Sequence, residues 1–232
     1  MGGGGFSMEP DNLALDFYTL QQARKVTPSV CFVATASGDA ATYVDRFYSA
    51  FTQLDCQPTH LALFDRTPDL RPFLLTQDVI YVGGGNTKSM LAVWREWDMP
   101  EILREAWDEG IILAGISAGA ICWFEAGLTD SWGGRMVPIT CLGMLSGACS
   151  PHYDGEAERR PALHELVTSR ALPPTLALED GVAAHFVGAG LFRLVSSRPN
   201  ARAYRVHLEH DKLVETALPA ELLPTQGRDG RI

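Results

Sequence analysis

Ser117 lies at the centre of the pentapeptide Gly-Ile-Ser-Ala-Gly, at the end of an apolar run. The surrounding segment GIILAGISAGA predicts a strand over residues 111–115 that leads directly into a helix. A nucleophilic serine needs such a sharp turn, because small neighbours leave its hydroxyl accessible and main-chain amides point at the attacked carbonyl oxygen. The alternative is a chance match in a glycine-rich turn, so the pentapeptide alone does not establish a nucleophile.

Three consecutive glycines, Gly83, Gly84 and Gly85, follow a second predicted strand in YVGGGNT. Amides without a neighbouring Cβ suit an oxyanion hole, and Asn86 could cap the next helix or contact a substrate. A right-handed crossover brings the ends of two parallel strands to one sheet edge, where these glycines and Ser117 can meet. A phosphate-binding loop is less favoured, because the Gly-Lys-Ser/Thr and Gly-x-Gly-x-x-Gly patterns are both missing here.

Six histidines are candidates for the general base that accepts the serine proton. His152 lies in SPHYDGEAERR, a segment dense in proline, glycine and polar residues, and functional side chains concentrate in such loops. The other five fit ordinary surface or packed positions in predicted strands, a helix and a hairpin: His60, His164, His185, His207 and His210.

Short apolar runs alternate with helical patterns up to about residue 170, which is typical of strand-helix units around a parallel sheet. Beyond that point, short strands separated by turn residues predict a C-terminal β meander packed on the sheet. The glycines at 2–5 are typical of a loop that follows a strand, and only Met1 precedes them. The preceding strand is therefore expected to be lost or to lie outside this chain, so that an edge or central strand is absent from it. The length of 232 residues predicts a single α/β domain over residues 1–232.

The composition restricts the expected partners. A formal net charge of -9 opposes binding to nucleic acid, and the longest uncharged apolar run, residues 111–124, is too short to span a bilayer. The first residues lack the basic and apolar regions of a secretory signal, so a cytoplasmic protein without membrane association is expected. Five scattered cysteines without zinc-ligand spacing predict reduced thiols, with no metal site and no cofactor.

Four motifs in this order, YVGGGNT, GISAGA, SPHYD and ALEDGVA, resemble the serine peptidase family that contains peptidase E, an aspartyl dipeptidase, and cyanophycinase. The resemblance covers about residues 30–190. It implies a doubly wound, mostly parallel α/β sheet similar to that of class I glutamine amidotransferases. It also implies that Ser117 is the nucleophile, that His152 is the general base, and that residues 83–85 and the amide of Ala118 form the oxyanion hole.

The acid that orients the histidine is less well defined by the resemblance. The family has a glutamate at the end of a late strand, and LALEDG places Asp180 there, with Glu179 beside it. The family also has an aspartate between the serine and the histidine, which corresponds to Asp130 in GLTDS. We therefore rank the candidates in the order Asp180, Asp130, Glu179.

The resemblance implies that the partner is a short peptide, with a preference for dipeptides that begin with aspartate. Arg159, or the adjacent Arg160, corresponds to the family's arginine after the catalytic histidine, which pairs with the substrate carboxylate. The alternative for these arginines is a position on the protein surface, with an ion pair to Glu156 or Glu158.

Three other functions stay open on the sequence. A cyanophycinase-like β-aspartyl peptidase would use the same serine. A small α/β-hydrolase esterase would combine Ser117 with Asp180 and either His207 or His210, in the chain order of that fold. A non-catalytic relative would bind a small ligand at the same sheet edge. The oligomeric state is also open, and a homodimer is one possibility.

Overall fold

The computed structural model describes residues 1–224. Apolar and β-branched runs form its strands, and amphipathic segments form its helices. The helices in this range are α1 (Gly5–Met8), α2 (Ala14–Leu20), α3 (Ala41–Phe51), α4 (Leu70–Leu75), α5 (Thr87–Glu96), α6 (Met99–Asp108), α7 (Ala118–Ile121) and α8 (Arg159–Thr168). None of these helices is both long enough and apolar enough to cross a bilayer.

The strands in the same range are β1 (Ser29–Val33), β2 (Gln57–Leu61), β3 (Val79–Val82), β4 (Ile112–Gly115), β5 (Phe124–Trp132), β6 (Arg135–Thr140), β7 (Leu145–Ser150), β8 (Thr175–Leu178), β9 (Val182–Val187), β10 (Gly190–Ser196), β11 (Arg202–Glu209), β12 (Lys212–Pro219) and β13 (Glu221–Leu222).

A four-stranded parallel sheet in the order β2-β1-β3-β4 forms the N-terminal half. The central strand β3 is buried throughout, and β1 is buried over all but its first residue, which explains their continuous apolar sequences. Phe47 and Phe51 of α3 pack on one face of this sheet, and Trp94 of α5 and Leu103 of α6 pack on the other. Helices on both faces of parallel strands confirm the predicted doubly wound α/β class.

Two further sheets contain the remaining strands. A six-stranded sheet has the order β12-β11-β8-β7-β5-β6, in which β7 is parallel to both of its neighbours. A three-stranded sheet has the order β13-β10-β9. The predicted C-terminal strands are present, and they form two hairpins, β9–β10 and β11–β12, that belong to different sheets. Strands β5, β6 and β7 occupy a stretch for which the sequence pattern predicts no strand.

The opening residues connect the four-stranded sheet to the C-terminal half. The amine of Met1 donates a hydrogen bond to the carbonyl of Gly115, at the end of β4, over 2.8 Å. The amide of Gly2 donates to the carbonyl of Val182, at the start of β9, over 2.9 Å. The first residues therefore lie between the exposed edges of β4 and β9.

Candidate active site

Ser117 occupies a sharp turn between β4 and α7. Its backbone angles are φ 57° and ψ -114°, a conformation that side-chain-bearing residues rarely adopt. A Cβ on Gly115 would overlap the main chain of Gly119, and a Cβ on Gly119 would overlap the main chain of Val82. The two glycines of the pentapeptide are therefore required by close main-chain approach, and they allow the strained turn at Ser117.

The glycine loop after β3 lies directly beside Ser117. Val82 and Gly115 are paired in the parallel β3–β4 register, so both strands end at the same level. A Cβ placed on Gly84 would lie 3.1 Å from the Cβ and 3.6 Å from the Oγ of Ser117. Gly85 has a φ of 138°, and a Cβ there would overlap the main chain of Ala36. The structure thus brings the two glycine motifs together.

The main-chain amides of this loop differ in whether they already donate a hydrogen bond within the protein. The Gly84 amide donates to the Tyr43 hydroxyl over 3.2 Å, and that hydroxyl also shares a hydrogen bond with the Ser7 hydroxyl. Within residues 1–224, the amides of Gly85 and Ala118 donate to no acceptor. Of the amides in the two glycine motifs, those of Gly85 and Ala118 are therefore still able to donate, and that of Gly84 is not.

His152 and Asp180 form a hydrogen-bonded pair on the neighbouring part of the sheet edge. His152 follows β7 and Asp180 follows β8, and these strands are parallel neighbours, so their carboxyl ends meet. The Nδ1 atom of His152 lies 2.7 Å from Oδ1 of Asp180, and both side chains are largely buried. If Nδ1 carries the proton, the Nε2 atom is the one that can accept a proton from a substrate or nucleophile.

The surroundings of Asp180 favour its charged form. Burial raises the pKa of this carboxyl, but the hydrogen bond to His152 and the positive charges of His152, Arg198 and Arg159 outweigh burial, so the pKa lies below its usual value. The Asp180 amide donates to the carboxylate of Asp154 over 2.7 Å, which fixes the main chain at this point. Asp180 is thus held as a carboxylate against the imidazole.

The main chain of Met1–Gly3 joins these two parts of the site. Met1 accepts a hydrogen bond from the Ser117 amide, and Gly3 forms an isolated parallel bridge with Asp180. Met1 and Gly3 are two residues apart, and extended chain of that length covers about 7 Å. Ser117 and the His152–Asp180 pair therefore lie at the same rim of the molecule. Within residues 1–224, no hydrogen bond links the Ser117 hydroxyl to His152 itself.

The other two candidate acids lie apart from His152. Asp130 is exposed on β5. The Glu179 carboxylate accepts hydrogen bonds from the Arg202 amide and the Tyr204 hydroxyl, over 2.7 and 2.8 Å. Asp180 is therefore the one of the three acids whose carboxylate contacts the imidazole.

Asn86 serves as the N-cap of α5. Its Oδ1 accepts from the Ser89 amide over 2.9 Å, and its amide nitrogen donates to the Ser131 carbonyl over 3.3 Å. This arrangement corresponds to the capping role considered for Asn86 from the sequence. Both the oxygen and the nitrogen of the side-chain amide are hydrogen-bonded within the protein.

Arg159, the first residue of α8, is buried, with 2% of its surface exposed, so the surface position considered from the sequence is wrong. Its guanidinium pairs with the Glu156 carboxylate at 2.7 Å and donates to the Leu128 carbonyl over 3.2 Å. Glu156 is one of the two acids that the sequence offered as partners.

Arg160 belongs to a separate cluster around Glu215 on β12. The Glu215 carboxylate binds Arg160, the Tyr153 hydroxyl and the His164 ring nitrogen. The Arg160 guanidinium also lies over the rings of Tyr153 and Tyr204, at 5.2 and 5.1 Å from their centroids. This cluster holds Tyr153, the residue after His152, in place. Sequence spacing does not predict that Glu215 binds Tyr153.

No group of three or more His, Cys, Asp or Glu side chains in the described part of the chain is arranged to hold a metal ion. His207 and His210 lie on β11 and in the turn after it. The Asp180 carboxylate, which an esterase triad with either of them would need, is bound to His152.

The model of Peptidase family S51 matches residues 1–194 of this chain. The chain is similar to the "Uncharacterized peptidase YgaJ" of Bacillus subtilis (strain 168), with 53% identity over 224 residues that cover 96% of this chain and 97% of the relative. A peptidase from an acI-B1 Actinobacterium has a similar structure, with a TM-score of 0.71, 16% identity, and coverage of 97% of this chain and 95% of the other. A putative peptidase E protein from Listeria monocytogenes EGD-e is similar with a TM-score of 0.56, 16% identity, and coverage of 94% and 96%. This chain thus belongs to peptidase family S51.

Proposed function

We propose that this peptidase is of the serine type and hydrolyses short peptides with Ser117 as nucleophile, His152 as general base and Asp180 as the acid that orients His152. The observation that carries the proposal is the 2.7 Å pair of His152 and Asp180 at the same rim as the strained turn of Ser117. Such a constellation is recognised by geometry and roles, since it recurs on unrelated folds.

In the proposed reaction, Nε2 of His152 takes the Ser117 proton while the serine oxygen attacks the peptide carbonyl. The tetrahedral intermediate then collapses as the imidazolium gives that proton to the leaving amine. The imidazole then takes a proton from water as the water oxygen attacks the acyl-enzyme, and it gives that proton to the serine oxygen when the bond to the acid product breaks. The Asp180 carboxylate stabilises the imidazolium in both halves of the reaction without becoming protonated.

The amides of Gly85 and Ala118 are the proposed donors to the oxyanion. Ala118 follows Ser117 in the chain, Gly85 follows Gly84, which lies against the Ser117 side chain, and neither amide has another acceptor within the described residues. The Gly84 amide, which the sequence motif also suggested, is bound to the Tyr43 hydroxyl, so Gly84 contributes mainly by its lack of a side chain. A preformed pair of main-chain donors stabilises the developing negative charge without reorganisation.

The dipeptidase subtype and the preference for N-terminal aspartate rest on the family resemblance. Arg159, the residue suggested to bind the aspartate side chain, is engaged by Glu156 and the Leu128 carbonyl. A substrate carboxylate would have to displace Glu156 to reach it. The preference for aspartate is therefore a prediction separate from the serine mechanism.

Two measurements test the proposal. The first is hydrolysis of a dipeptide panel that varies the N-terminal residue, with β-aspartyl peptides and a simple carboxylic ester included. Peptide cleavage is expected, and selective β-aspartyl or ester cleavage would favour the cyanophycinase-like or esterase alternative. The second is labelling by a serine-reactive phosphonate, which is expected at Ser117 and lost in His152→Ala but not in the control His60→Ala. Absence of both cleavage and labelling would identify a non-catalytic relative.

A further inference from the structure

His152, the proposed general base, has a strained backbone. Its φ of 53° lies in the left-handed region, which is energetically unfavourable for a residue with a side chain. Such a conformation persists only where the surrounding contacts determine it. On the N-terminal side, β7 fixes the chain as far as Ser150, which pairs with Ala177 of β8. The contacts of the next residue, Tyr153, therefore have to hold the chain on the other side.

Tyr153 is held both by its main chain and by its side chain. Its amide donates a hydrogen bond to the carbonyl of Leu178, at the end of β8, over 3.0 Å. Its side chain is buried, and the hydroxyl donates to the Glu215 carboxylate over 2.6 Å. The Arg160 guanidinium lies over the ring, 5.2 Å from the centroid. The chain directly after His152 is thus fixed at the amide, the ring and the hydroxyl of one residue.

Glu215 is itself held firmly enough to act as an anchor. Its carboxylate accepts from Nε of Arg160 over 3.2 Å, and the His164 ring nitrogen lies 2.6 Å from the same oxygen. Burial raises the pKa of this carboxyl, but the hydrogen bonds from Tyr153, Arg160 and His164 outweigh burial, so the pKa lies below its usual value. The Tyr153 hydroxyl therefore donates to a charged acceptor whose position α8 fixes independently.

We propose that Glu215 is a positioning residue for catalysis, which holds His152 in its left-handed backbone conformation by fixing Tyr153. The imidazole is thereby directed at Asp180, whose Oδ1 lies 2.7 Å from Nδ1. Without the anchor, the backbone of His152 relaxes toward ordinary angles, and the imidazole turns away from its partner. The inference rests on the proposed function of His152 as general base, and it assigns a role to a residue of β12, the outer strand of the six-stranded sheet.

Two variants separate this role from a contribution to stability alone. Glu215→Ala removes an acceptor that three side chains share, so its thermal midpoint is expected to fall as well. Tyr153→Phe is milder, because it removes one hydrogen bond while the other two donors still hold the carboxylate. Tyr48→Phe is the matched control, since its hydroxyl contacts the His60 ring on the other half of the molecule, at 2.9 Å.

Steady-state peptide hydrolysis, measured well below the thermal midpoint of each variant, is the first readout. We expect kcat to fall about 10- to 100-fold in Glu215→Ala and at least about fivefold in Tyr153→Phe, with KM changed by less than about twofold. The double variant is expected to match Glu215→Ala alone, because both changes act through one contact. Additive losses, a loss confined to KM, or a kcat equal to that of Tyr48→Phe in both variants would overturn the proposal.

Proton NMR of the full chain is the second readout, and it does not depend on activity. The downfield resonance of the Nδ1 proton between His152 and Asp180 is assigned by its absence in His152→Ala. It is expected to be shifted or lost in both variants and unchanged in the control. An unchanged resonance in both variants would overturn the proposal, whatever their activity. If Ser117→Ala stays fully active while the resonance responds as expected, the serine mechanism fails and the positioning of His152 by Glu215 stands.

Discussion

The Nδ1 atom of His152 lies 2.7 Å from the carboxylate of Asp180, and the two residues follow neighbouring parallel strands, β7 and β8. The pair is therefore positioned by the sheet and not by a flexible loop alone. His152 itself has a left-handed backbone, with φ at 53°, which directs the chain sharply away from β7. This geometry fixes the orientation of the imidazole before any substrate binds.

Replacing Asp180 by asparagine is expected to lower kcat by about 10³- to 10⁴-fold, because the neutral amide no longer stabilises the imidazolium or its correct tautomer. Asp130→Asn and Glu179→Gln are the matched controls, since neither carboxylate contacts His152, and each is expected to change kcat less than about threefold. Steady-state kinetics on the best peptide of the panel measure all three. A large loss in Asp130→Asn with little loss in Asp180→Asn would reverse the assignment.

Ser117→Ala is expected to abolish hydrolysis, with a loss of at least about 10³-fold, while the fold is retained. Alanine has the same Cβ as serine, so the strain of the left-handed turn is unchanged and the thermal midpoint is expected to stay within a few degrees. Ser169→Ala, at the exposed end of α8, is the control for both measurements. Full activity in Ser117→Ala would remove this serine from the mechanism.

Gly84→Ala is expected to lower kcat by about 10- to 100-fold, since displacement of a catalytic group by a fraction of an ångström to 1 Å has costs of this order. The new Cβ would lie 3.1 Å from the Cβ of Ser117, so the serine has to shift. Gly190→Ala is the control, because a Cβ there would meet only the Val187 carbonyl, at 3.7 Å. Kinetics together with thermal unfolding separate this local displacement from a general loss of stability.

The parallel strands and the nucleophile turn could be predicted because their signals are local. Continuous apolar runs identify strands buried on both faces, as in β1 and β3. Glycines on either side of Ser117 reflect a main-chain approach that admits no Cβ. The C-terminal strands were also predictable individually, although their distribution over two sheets depends on pairing between distant segments.

The remaining features depend on contacts that no local pattern encodes. Tyr43 has the position of a core residue on an amphipathic helix, yet its hydroxyl binds the Gly84 amide across 41 residues of chain. Glu215 is 62 residues from Tyr153, and only the fold makes it the centre of the cluster that anchors the His152 loop. The assignment of Arg159 and Arg160 to different acids likewise depends on the different directions in which their side chains leave the start of α8.

Arg159→Ala is expected to reduce the free energy of unfolding by about 2–3 kcal/mol, because it leaves the Leu128 carbonyl and the Glu156 carboxylate without their partner. Arg170→Ala, which removes an exposed pair with Asp211, is expected to change it by less than about 1 kcal/mol. Urea unfolding measures both. The Arg159 variant is expected to change kcat/KM equally for Asp-X and Ala-X dipeptides, and a loss confined to Asp-X would instead assign Arg159 to substrate binding.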